Sequence, residues 1–187
     1  MALHRGSVET IHYALFSCGL GLDAEVVAQA DVDPYRKYRF GSLHYASTAL
    51  GVALRLFPRR RPHITVRSGE RENRGVAAMF QFREIYTFFG RRRITLTPEM
   101  PAPMTLLVMT RLPRRRLPRI AFDALVRGDL REVKGFEVWE RLEAASMEAE
   151  PPAPAQADGE ALGMVDSAVV DWLPEALRVA SPYWSAR

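Results

Sequence analysis

Two acids flank a glycine in Gln156-Ala157-Asp158-Gly159-Glu160. An Asp-Gly pair between apolar runs is a strong hairpin signal, because glycine tolerates the positive φ of a type I′ turn and an aspartate side chain bonds to nearby backbone. Such a turn also holds Glu160 at an edge, where a carboxylate can take a proton from a hydroxyl. Turn-former and general base are both open readings; Asp158 suits the first role and Glu160 the second. Another acid, Asp23, follows the two glycines of Cys18-Gly19-Leu20-Gly21-Leu22-Asp23. It stands where an apolar strand gives way to a helix, either as the N-cap or as a contributor to a cleft. His12, His44 and His63 lie far apart and show no metal-ligand spacing, so no zinc site is expected. Cys18 has no histidine beside it and reads as a small core residue.

Charge gives a second clue. Of 26 basic residues only Lys37 and Lys134 are lysines, against 22 acids, for a net charge of +4. The arginines gather in three triplets, Arg59 to Arg61, Arg91 to Arg93 and Arg114 to Arg116. Each triplet reads as a solvated loop. On one shared face they would form a patch for anionic lipid headgroups or phosphates. Nucleic acid is not indicated, since no recognition helix, zinc-finger spacing or aromatic-basic RNA motif is present.

The elements that must position these residues fit a single domain of 187 residues. A hydrophobic fraction of 48% with 26% charged residues excludes a disordered chain. One cysteine rules out an internal disulfide and fits a reducing, cytoplasmic setting. The first residues lack a secretory pattern, so no leader is expected. The run from 40 to 57 is broken by Ser42, His44, Ser47, Thr48 and Arg55 and falls short of a membrane span; residues 40 to 56 read instead as the longest helix, stopped by Pro58.

Residues 33 to 40 read as a polar aromatic connection before that helix. Alternating segments predict strands at 63 to 68, 71 to 82, 92 to 98 and 104 to 112, with a turn at Ser68-Gly69. Between 119 and 129, Ile120, Phe122, Leu125 and Val126 are spaced as one helical face, with Gly128 as C-cap. Gly135 to Glu140 alternates as a strand. The tract from 148 to 156 is too proline-rich for regular structure and is expected to be a flexible loop. Strands should then run over 160 to 173 and 176 to 182. The expected fold is α+β and β-rich, a two-layer antiparallel β-sandwich with about two helices.

Taken together, "CGLGLDAEVV" near the start and "QADGEALG" near the end resemble the Gly-x-Gly-x-Asp-Ala and Gln-x-Asp-Gly-Glu segments of diacylglycerol kinase-like lipid kinases, the group that includes bacterial lipid kinases and sphingosine kinases. "YTFFGRRRITLTPE" is similar to a Tyr-x-x-x-Gly segment of the bacterial members, so the resemblance runs from Thr10 to Pro182. It implies the C-terminal, lipid-binding β-sandwich of such an enzyme, with the ATP-binding domain supplied in cis or in trans. ATP and Mg²⁺ would serve the complete enzyme, and this chain alone would bind neither.

On that resemblance Glu160 would be the base, with Asp158 and Gly159 in the catalytic hairpin and Gly19, Gly21, Asp23, Phe89 and Gly90 along the substrate cleft. The chain departs from the family's pattern in its metal turn: residues 98 to 110 contain no aspartate, only Glu99. Lipid is the expected substrate and a peripheral membrane surface an expected partner. Exposed strand edges also offer a route to self-pairing. The alternative is a remnant of that family which binds lipid, membrane or protein without catalysis.

Overall fold

A computed structural model describes residues 1–32, 34–55, 60–89, 91–97 and 103–177. Two short strands, β1 (Ala2–Arg5) and β2 (Val8–Ile11), form a hairpin, and β3 (Ser17–Leu20) enters the core. Helices α1 (Leu22–Asp31) and α2 (Pro34–Arg55) follow. The second is the longest helix described, but it starts well before residue 40, because Pro34 can open a helix at its first turn. The connection expected at 33 to 40 is therefore helical from residue 34 on. Its expected stop, Pro58, lies outside the described residues.

Strands β4 (Ile64–Ser68) and β5 (Arg71–Gly75) pair across the Gly69 turn, and β6 (Ala77–Gln81) continues. A separate hairpin joins β7 (Ile85–Phe89) to β8 (Arg92–Thr95). After β9 (Met104–Met109), a 3₁₀ turn at Arg114–Arg116 leads into α3 (Leu117–Phe122), which runs on as a π-helical turn through Asp123–Arg127. Gly128, at φ 68°, ends it as expected for a left-handed C-cap. The chain closes with β10 (Phe136–Leu142), β11 (Ala144–Ala157) and β12 (Glu160–Asp171). Residues 176 and 177 are not in a strand, and the rest of the strand expected there lies outside the described residues.

All strands but β7 and β8 belong to one antiparallel ten-stranded sheet, in the order β10-β9-β6-β3-β11-β12-β1-β2 with β4 and β5 branching off. The branch lies at β11. One edge of this strand pairs throughout with β12, while the other serves β4 along Ser146–Ala149 and β3 along Ala155–Ala157. Side chains from both branches, among them Ile64 and Val66 of β4 and Phe80 and Leu106 of β6 and β9, share one buried cluster. The open sheet thus shares one core between its two branches, giving a β-rich, sandwich-like α+β fold. A second cluster lies where Val26 and Val52 of the two long helices cover Val76 and Met109, and a third packs Ile94 and Leu96 on Leu107.

The expectation of a flexible loop over 148 to 156 is overturned. This tract is strand, and its prolines sit where the ladder does not need their missing N–H groups. Between the pairs Glu148↔Ser167 and Ala153↔Val165 the register shifts, and the exposed Pro151 and Pro152 occupy that bulge. Beyond it, Ala153–Ala157 is buried on both faces, with α1 packed against the strand.

Candidate functional site

Glycine brings the site together. A Cβ on Gly19 would collide with the Ala78 carbonyl, and one on Gly21 would lie 2.6 Å from the Val76 carbonyl oxygen. Both positions therefore require glycine for β3 to run this close to β6. Gly21, at φ 95°, is itself the N-cap of α1, and its N–H donates to the Pro154 carbonyl at 2.9 Å. The expected N-cap, Asp23, is instead inside the first helical turn, since the positive φ needed at the cap excludes any residue but glycine there.

That shift releases the Asp23 carboxylate for other partners. Gly19 pairs with Gln156 across β3 and β11, and the buried Gln156 amide donates from Nε2 to Asp23 Oδ2 at 2.7 Å. The Tyr86 hydroxyl of β7 donates to Asp23 Oδ1. In turn Gln156 Oε1 accepts the Gly159 N–H at 3.0 Å. One chain of hydrogen bonds thereby links the glycine-rich start of α1, the Tyr86 segment and the Gln156–Glu160 hairpin. Burial pushes the Asp23 carboxyl above the usual carboxylate range, and the Tyr86 hydrogen bond only partly offsets this. The helix N-terminus favours the ionised form, yet desolvation wins. Sequence reading singled out Asp23 but missed Gln156 and Tyr86 as its partners; both stand in the quoted motifs, and their pairing depends on long-range register.

The hairpin has the predicted geometry. Ala157 pairs with Glu160 across two residues of positive φ, Asp158 at 49° and Gly159 at 82°, as a type I′ turn requires. The two acids then part ways. Asp158 accepts the N–H groups of Leu15 at 2.7 Å, Phe16 at 2.8 Å and Ser17 at 2.9 Å, while its own N–H donates to the Ser17 carbonyl. It clasps the entry to β3 onto the hairpin. Glu160 is exposed, and its carboxylate has no hydrogen-bond or ion-pair partner among the described residues.

Of the remaining expected cleft residues, Phe89 ends β7 opposite Arg92, and Gly90 lies outside the described residues. Glu99 and the first part of the segment expected to carry a metal turn lie outside them too. No group of three or more His, Cys, Asp or Glu positioned for a metal ion occurs among the described residues. Cys18 is buried, and burial pushes its thiol up to about 12, which suits a core residue. Phe80 and Phe82 are core, whereas Phe88 is exposed. His63 is buried, its ring lowered from the ordinary histidine value by that burial, with Nδ1 3.2 Å from the Arg61 carbonyl oxygen.

No protein-family model and no curated protein matches this chain. Solved structures do. A candidate diacylglycerol kinase from Bacillus anthracis str. Sterne superposes with a TM-score of 0.51 at 12% identity, over 94% of this chain and 57% of that one. A second structure so described from the same source gives 0.49 at 10% identity, over 91% and 53%. The chain thus spans little more than half the length of the proteins it resembles. At this identity the first match speaks for the fold, and it agrees with the resemblance read from the motifs: the chain is built like part of a diacylglycerol kinase-like protein.

Proposed function

We propose that this chain is the lipid-binding, C-terminal domain of a diacylglycerol kinase-like lipid kinase, which phosphorylates a lipid hydroxyl when joined to a nucleotide-binding domain. One observation carries the reading. The three segments that resemble the family meet at a single carboxylate, Asp23, through Tyr86 and Gln156, and the same hairpin leaves Glu160 free at its rim.

In this reading Glu160 accepts the proton of the lipid hydroxyl as that oxygen attacks the γ-phosphorus of ATP. A new P–O bond forms, the bond to the β–γ bridging oxygen breaks, and ADP departs. Phosphoryl transfer asks little covalent chemistry of the protein beyond positioning and charge neutralisation. Asp158 positions rather than reacts, because its oxygens already serve three backbone amides. Mg²⁺ would accompany the nucleotide in a complete enzyme. The described residues do not form a site for it: Asp158 and Asp23 are committed to hydrogen bonds within the fold, so no step is assigned to a metal held by this chain.

Fusion to an upstream domain carrying a Gly-Gly-Asp-Gly-Thr nucleotide loop, assayed with radiolabelled ATP and diacylglycerol in mixed micelles, tests the proposal. Label should enter the lipid with the fusion and not with the chain alone. Saturable ATP binding by the chain alone, or no transfer to any lipid hydroxyl by any pairing, would count against it. A non-catalytic binding module is the second reading, favoured by the exposed apolar surface of the helix that follows β9.

A further inference from the structure

The segment Leu117–Arg127 is an amphipathic helix turned inside out. Its inner positions are Leu117 and Ile120, packed toward Val76 and Met109, together with Ala124 against Ile94 and Leu96 and the fully buried Asp123. Pro118, Ala121, Phe122, Leu125 and Val126 follow one another at helical spacing on the outer side, and all are exposed. The large ones are far from buried: Phe122 is 50% exposed, Leu125 47% and Val126 51%. Single exposed hydrophobics need no explanation, but a continuous stripe of them marks an interaction surface. Of the helical face read from sequence, Phe122, Leu125 and Val126 thus lie outward and only Ile120 inward. Burial of Asp123 is the reason: Arg119 Nε and Arg127 Nη1, one turn before and after, reach it at 2.6 and 3.3 Å, and this fixes which side of the helix faces the protein.

Charge says what the stripe meets. Arg114–Arg116 stand at its N-terminal end, and at its C-terminal end Arg92 Nη2 donates to the Val126 carbonyl at 3.3 Å, which brings the Arg91–Arg93 edge of the β7–β8 hairpin alongside. Thr95 Oγ1, donating to the Gly128 carbonyl at 3.0 Å, fixes the same contact. Within 91–93 and 114–127 the only acid is Asp123, which faces inward. Arg114 and Arg116 donate to the Leu54 and Lys134 carbonyls, so their positive charge is not cancelled.

We propose that this face seats the domain on an anionic bilayer, with Phe122, Leu125 and Val126 entering the headgroup boundary and the flanking guanidinium groups binding lipid phosphates. Shallow apolar insertion inside a cationic rim is how interfacial helices hold to a surface without crossing it. No helix among the described residues is long and apolar enough to span a membrane. The inference stands apart from the phosphotransferase reading, because vesicle binding reads it and lipid phosphorylation does not.

Flotation with phosphatidylserine–phosphatidylcholine vesicles, against pure phosphatidylcholine at low and high salt, tests it on the whole chain. The protein should bind the anionic vesicles and lose that binding as salt rises. The triple variant Phe122→Ser/Leu125→Ser/Val126→Ser should bind about tenfold more weakly or worse. Replacing Arg91, Arg93 and Arg115 by Gln should weaken binding roughly fivefold per arginine. Val8→Ser/Ile11→Ser, which removes exposed apolar groups on β2, should change nothing. A polarity-sensitive fluorophore on Leu125→Cys, in an otherwise unaltered chain, should shift to the blue on anionic vesicles only. Absence of binding, or full binding by the triple serine variant, would overturn the proposal. So would a concentration-dependent dimer that the triple variant abolishes while vesicles go unbound, since the stripe would then face a second copy.

Discussion

Asp23 and Asp123 are both carboxylates drawn out of water near a helix, and their partners are opposite in kind. Asp123 is met by two guanidinium groups from its own helix, so its charge is cancelled locally. Asp23 is met by a phenol and an amide, neutral donors that orient the carboxylate without neutralising it. In the first case burial fixes which side of the helix turns in and leaves the outer side apolar. In the second it leaves a carboxyl raised above the usual range by burial at the meeting point of three motifs.

If that contrast is right, truncating the two acids should act differently. Asp123→Ala should destabilise the fold by about 2–3 kcal/mol in denaturant titrations, because it empties a fully buried position and removes both arginine contacts at once, whereas loss of one arginine leaves the acid its other partner. Removing either arginine alone should cost less than about 1 kcal/mol, since their side chains are 66% and 50% exposed. Equal losses for the acid and for each arginine would break this half of the comparison.

Next in size is Tyr86→Phe, expected to cost about 1 kcal/mol for one lost hydrogen bond. It should also move the Asp23 carboxyl further up, as a donor to the ionised form is removed; carboxyl carbon shifts followed against pH would show this. No movement would mean that the hydroxyl does not serve Asp23.

The smallest effect is one of pH. A carboxyl raised in the fold binds its proton more tightly folded than unfolded. Its contribution is therefore fully present below the unfolded value of about 4, and is lost as pH rises through the folded one. Asp129, just beyond the π turn, has the reverse sign: Arg131 holds it below the usual range, so its contribution is present above about 4 and is lost as pH falls. Comparing the chain with Asp23→Asn across mildly acidic pH isolates the first of these. The variant should lack the fall in stability with rising pH, and parallel curves would contradict the assignment.

Local chemistry was legible in the residues. Asp158-Gly159 announced a type I′ turn and Gly128 a helix end, and Gly19 with Gly21 marked the passage from strand to helix. What failed depended on distant partners. Composition made 148 to 156 look loose, but β12, β3 and β4 supply a ladder that tolerates proline at its bulge. Spacing alone put Ile120, Phe122, Leu125 and Val126 on one helical face without saying which way it turns. The Arg119, Asp123, Arg127 series, at intervals of four, held that signal, because a buried acid with two arginine partners sets which side turns in. Gln156 and Tyr86 found Asp23 only through β3–β11 register and the docking of β7, neither of which is written in neighbouring residues.

The central claim is that Glu160 reacts while Asp158, two residues earlier, holds the hairpin. Steady-state kinetics of Glu160→Gln beside Asp158→Asn, in the chain fused to a nucleotide-binding domain, put that division directly to the test. Glu160→Gln removes the proton acceptor from an exposed side chain, and kcat should fall by about 10²- to 10⁴-fold with an unchanged melting temperature. Asp158→Asn keeps one oxygen for the amides of residues 15–17, and should lower stability by about 1 kcal/mol with a far smaller loss of kcat. Equal and modest losses in both variants, tracking their melting temperatures, would contradict the account.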